Sequence, residues 1–76
     1  MKKVTIEGEF IQLNQLLKKE DICQSGGEAK QLILSGQILI NGEPATEIRK
    51  KIRPGDMVQV KGAKEILKVE AEESAL

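Results

Sequence analysis

The stretch Ser25-Gly26-Gly27-Glu28 constrains this chain more than any other, because it is a capping box. A Ser hydroxyl at a helix start accepts the amide proton three residues on, and a Glu at that third position reaches back to the Ser amide. A helix must therefore begin at Ser25. Ala29, Leu32 and Ile33 give it an apolar face at i, i+3 and i+4 spacing, and Gly36 sits where helices end in a left-handed residue. About ten residues are spanned. Lys30 lies off the apolar face near the positive end of the helix dipole, which makes an outward electropositive spot.

The flanks organise themselves around this helix. Val4 and Ile6 alternate with Thr5 and Glu7, the period-two pattern of a half-buried strand, until Gly8 and Glu9 break it. Leu13, Leu16 and Leu17 recur at helical spacing, with Gln12, Asn14, Gln15, Lys18 and Lys19 on the polar side, and predict a first short helix. Residues 21–24 then connect the two helices, with Ile22 and Cys23 expected to turn inward. After the second helix, Ile38 and Ile40 mark a strand, and Asn41-Gly42 is the pair that tolerates both positive φ values of a type I′ turn. Pro44 lacks an N–H, so residues 43–47 read as an edge or loop. Ile48-Arg49-Lys50-Lys51-Ile52-Arg53 carries four bases in six residues and reads as a basic loop ending in the turn Pro54-Gly55-Asp56. Met57, Val58 and Val60 predict a strand, Lys61-Gly62-Ala63-Lys64 a turn, and Ile66, Leu67 and Val69 a last strand. The class is α+β.

Phe10 is the one aromatic residue among 76, so the core must be aliphatic. A chain this short forms one domain of modest stability. Lys plus Arg equals Asp plus Glu at 12 each, which gives no net attraction to a polyanion. The charges are nonetheless uneven: residues 1–64 hold eleven of the bases and eight of the acids, leaving residues 71–76 as the core of an acidic tail expected to be disordered. Cys23 has no disulfide partner, no apolar run reaches the roughly 20 residues of a membrane span, and a cytoplasmic protein is expected. With no His in the chain, Cys23 has no activating base, Asp56 has no acid–base partner, and no zinc or calcium ligand spacing occurs. Neither enzyme chemistry, metal nor cofactor is expected.

The ordered set Ser25-Gly26-Gly27-Glu28-Ala29-Lys30, Leu32-Ile33, Gly36, Ile38, Ile40-Asn41-Gly42-Glu43 and Lys51-Ile52-Arg53-Pro54-Gly55-Asp56 with Val58 resembles the S4 RNA-binding domain, and most closely the small stand-alone bacterial members. The likeness runs over residues 13–60. It implies the S4 (alpha-L) RNA-binding fold, two short helices packed on a small mainly antiparallel sheet, within a domain of residues 1–70. It also implies binding of structured RNA, with ribosomal RNA one candidate. The implied contacts are Ser25 and Lys30 on the second helix, with Arg49, Lys50, Lys51 and Arg53 in the loop. Lys18 and Lys19 extend that surface if the helices pack side by side, or else simply complement the helix dipole. Gly26 stands where larger members often carry Arg, and Glu47 and Ile48 stand where relatives tend to be basic.

Phosphates are bound mainly by Arg and Lys, which is the physical reason to read residues 49–53 as an RNA contact rather than a solvated loop. Phe10 alone makes no stacking platform, which favours recognition by shape. A protein-interaction adaptor on the same scaffold and duplex-DNA binding are the alternatives.

Overall fold

The computed structural model describes residues 1–72. In chain order the elements are β1 (Lys2–Ile6), β2 (Ile11–Gln12), α1 (Leu13–Lys19), α2 (Gly26–Leu34), β3 (Ile38–Ile40), β4 (Glu43–Pro44), β5 (Lys51–Ile52), β6 (Met57–Val60) and β7 (Ile66–Ala71). Five strands form one sheet in the order β1-β7-β6-β3-β4, and β2 pairs with β5 in a second, two-stranded sheet. All pairings are antiparallel except β1 with β7, which aligns Val4 with Val69 and Ile6 with Ala71. This is the α+β arrangement of two helices on a mainly antiparallel sheet.

Period-two alternation explains which way each strand faces. Val4 and Ile6 point inward from β1, Ile38 and Ile40 from β3, Val58 from β6, and Leu67 and Val69 from β7. They meet Leu13, Leu16 and Leu17 of α1 and Ala29 and Ile33 of α2 in one cluster, completed by Cys23, Ala45 and Ile52. Every buried residue in it is apolar. Asn41 and Gly42 have φ of 52° and 86°, so the two-residue turn joins β3 to β4, and Pro44 falls on an edge strand where its missing N–H costs nothing.

Both helices end on a left-handed residue that closes a 6→1 and a 5→2 hydrogen bond. In α2 that residue is Gly36 (φ 78°), with the amides of Gly36 and Gln37 donating to the carbonyls of Ile33 and Leu32. In α1 it is Asp21 (φ 59°), and Asp21 and Ile22 donate to Lys18 and Leu17. This tight reversal turns Cys23 inward but leaves Ile22 37% exposed, against the expectation that both are buried. β7 runs to Ala71, one residue into the stretch expected as tail, and the Glu72 amide donates to Ile6. Residues 73–76, the rest of that stretch, lie outside the described residues.

Candidate nucleic-acid interface

Residues 48–53 are not the free loop their composition suggests. Ile52 is fully buried and pairs with Ile11, while Lys51 pairs with Gln12, so β5 is pinned to β2. Alternation along β5 then turns Lys51 and Arg53 outward on the face opposite Ile52, and both are exposed. Just before β5, the carbonyls of Ile48 and Lys50 accept the amides of Asn14 and Leu13 at 3.1 and 2.9 Å. These are first-turn donors of α1 that no side chain caps, since the side chain of Gln12 at the N-cap makes no such bond. The basic segment is thus held by its backbone, which leaves its cationic side chains free.

Beyond β5, Asp56 fixes the exit. Its Oδ2 accepts the Arg53 amide at 2.9 Å and its Oδ1 accepts the Asn41 side-chain amide at 3.1 Å. Asn41 Oδ1 in turn accepts the Met57 amide. The Asn41-Gly42 turn and the Pro54-Gly55-Asp56 turn are therefore clamped together, and the basic segment runs between α1 and that clamp. Asp56 does more than turn the chain, as its carboxylate takes one backbone and one side-chain donor just before β6.

Among the described residues the one ion pair is Lys2 with Glu20, at 2.9 Å. Glu20 holds the Lys2 ammonium above the ordinary lysine range, first by hydrogen bonding and then by its charge. None of Lys18, Lys30, Arg49, Lys50, Lys51 or Arg53 is so neutralised. Lys50 is half-buried beside Asn41, Glu43 and Thr46 in a shallow cleft. Lys51 lies over the ring of Phe10, its Nζ 4.9 Å from the centroid. That contact follows from register, because Phe10 is two residues from Gln12 and so stands diagonal to Lys51 on the same face.

The other expected contacts are placed differently. Ser25 is exposed, yet its hydroxyl is taken up as the cap of α2, accepting the Glu28 amide at 3.2 Å. The Glu28 carboxylate does not return to the Ser25 amide as the capping box predicts; it accepts the Gln24 amide, one residue earlier, at 2.6 Å. A carboxylate thus already sits at the positive end of α2. Lys30 is exposed on α2 and has no hydrogen bond or ion pair to residues 49–53. Lys19 spends one N–H on the Thr5 carbonyl at 2.8 Å, tying the end of α1 to β1, whereas Lys18 is exposed without such a tie. Both lie at the opposite end of α1 from Leu13, whose amide meets the Lys50 carbonyl.

Sequence reasoning put Gln12 on the polar side of the first helix rather than in β2, set Phe10 aside as a lone aromatic, and did not foresee the bond between Asn41 and Asp56. Only the alternation of Phe10 and Gln12 about Ile11 hinted at β2. Among the described residues no group of three or more acidic or Cys side chains is arranged to hold a metal ion, and no helix is long and apolar enough to cross a membrane.

Comparison with known proteins agrees with this architecture. A family model described as the S4 domain matches residues 4–69. The chain is also similar to the probable ribosome maturation protein RlbA of Bacillus subtilis (strain 168), at 39% identity over 59 residues, which covers 78% of this chain and 83% of the relative.

Proposed function

The chain belongs to the S4 domain family, and from that premise we propose that it is a non-catalytic RNA-binding domain that acts on structured ribosomal RNA in the cytoplasm. Residues 1–70 work as the binding unit, and residues 71–76 are an acidic extension. The contact surface is centred on Arg49, Lys50, Lys51 and Arg53, with Lys30 and Lys18 as flanking phosphate contacts. Ser25 and Lys19 serve mainly to shape it, one as a helix cap and the other as a tie to β1.

The observation that carries this reading is that residues 48–53 are anchored through their backbone and the apolar Ile48 and Ile52, while their cations have no carboxylate partner. Holding a segment rigid by its backbone lowers the ordering cost of binding, and unpaired cations release phosphate counterions at full effect. The name of the RlbA relative, a ribosome maturation protein, supports ribosomal RNA as the target. Crosslinking an epitope-tagged copy to nucleic acid in living cells, then sequencing what it retains, tests the proposal. Ribosomal RNA should dominate the product; recovery of DNA, or of protein partners alone after nuclease treatment, would overturn it.

A further inference from the structure

Phe10 is the chain's one aromatic side chain, and it stands outside a core otherwise built from aliphatics and Cys23, 39% exposed. An aromatic ring has much to gain from burial, so a solvent-facing one beside a basic strand calls for an account. Lys51 lies over the ring, and the ring also borders a cleft of about 530 Å³ that Lys51 does not line.

The lining decides what fits. Gln12 at the N-cap of α1, then Gln15 and Lys19 three and seven residues on, line it along one side of the helix, and Glu7 and Glu72 contribute carboxylates. Those two carboxylates repel a phosphate inside the cleft, and Lys19 already donates to Thr5. What remains is the exposed part of the Phe10 ring, side-chain amides that offer donors and acceptors together, and carboxylate acceptors. Their complement is a neutral, planar ring with mixed donors and acceptors on its edge. Lys51, over the ring, and the exposed Arg53 that follows β5 are the cations nearest in the chain to meet the flanking phosphates.

We infer that the Phe10 cleft takes one unpaired nucleobase of the bound RNA, stacked on the ring with its edge toward Gln12 and Gln15. The inference rests on the RNA-binding reading and adds to it a preference for a bulged or looped-out nucleotide within the structured target.

Two RNA stem-loops, identical except that one carries a single bulged 2-aminopurine, are titrated at low salt with the full chain, with Phe10→Leu, and with Lys50→Glu/Lys51→Glu. Phe10→Leu keeps an apolar side chain at a half-exposed site, and an unchanged urea midpoint verifies its fold. The native chain should prefer the bulged RNA and change the 2-aminopurine emission on binding. Phe10→Leu should abolish the emission change and weaken the bulged complex by about 5- to 150-fold, the usual worth of one base stacked on an aromatic, while binding the paired stem-loop as before. Equal binding of both RNAs by the native chain, or equal effects of Phe10→Leu on both, overturns the base site. If Lys50→Glu/Lys51→Glu still abolishes binding, the RNA reading survives that result; if the native chain binds neither RNA, both fall.

Discussion

Replacing Ile52 with Ala removes the single buried anchor of β5, and its cost follows from the geometry. Ile52 is fully buried against Ile11 and the aliphatic cluster, and the change deletes three carbons. At about 0.8 kcal/mol per buried methylene the transfer loss is about 2.4 kcal/mol, and the residual cavity raises it within the roughly 2–5 kcal/mol range of such truncations. A domain of 76 residues has roughly 4–11 kcal/mol in total, so the change consumes a large share of its stability. Urea unfolding measures this: with an m-value of about 1 kcal/mol/M, the midpoint should fall by about 3 M for Ile52→Ala and by about 1 M for Ile52→Val. The neighbouring Lys51→Ala, on the opposite face of the same strand, should lose no more than about 1 kcal/mol, the upper worth of an exposed cation–π contact. If Ile52→Ala and Lys51→Ala shift the midpoint alike, β5 is not anchored as described and the basic segment is a loose loop.

Asp56→Ala should cost about 1–2 kcal/mol in the same assay, because it strips acceptors from the Arg53 amide and the Asn41 side chain at a partly exposed site. Adding Asn41→Ala to that variant should then cost less than it does alone, and strict additivity would contradict the clamp. Burial, and secondarily the Glu28 charge, push the Cys23 thiol above its ordinary value of 9.0. Its neutral form is thus favoured by folding: the associated stability is complete below pH 9.0 and is lost as pH rises through the elevated value. Iodoacetamide at pH 8 should alkylate the native chain far more slowly than the urea-unfolded chain, and equal rates would contradict the burial of Cys23.

Local chemistry was legible in the sequence and long-range pairing was not. The Ser25 cap, the Asn41-Gly42 turn, the Pro44 edge and the Gly36 stop each depend on residues within a turn of one another, so their types alone decide the backbone. The β2–β5 ladder joins two residues to two others some forty positions away, and two residues are too few to show a period. Hence residues 48–53 read as a loop, although Ile48 and Ile52 are the apolar positions that dock it. The parallel contact of β1 with β7 was hidden for the same reason, since alternation gives a strand's faces but not its neighbour. Glu28 reaches Gln24 rather than Ser25 by a shift of one residue, below what a spacing rule can resolve. Within the site, the cations were visible as charges. That none of them is paired with a carboxylate, and that Lys51 lies over Phe10, depended on the unseen ladder.

The unpaired cations of residues 49–53 are proposed to meet phosphate. The slope of log affinity against log salt for a structured ribosomal RNA fragment reads that contact. Four phosphate contacts predict a slope of about −3 to −4 for the native chain, falling toward about −2 when Lys50 and Lys51 are both replaced by Gln. A native slope near zero, or one that the double replacement leaves unchanged, would contradict it.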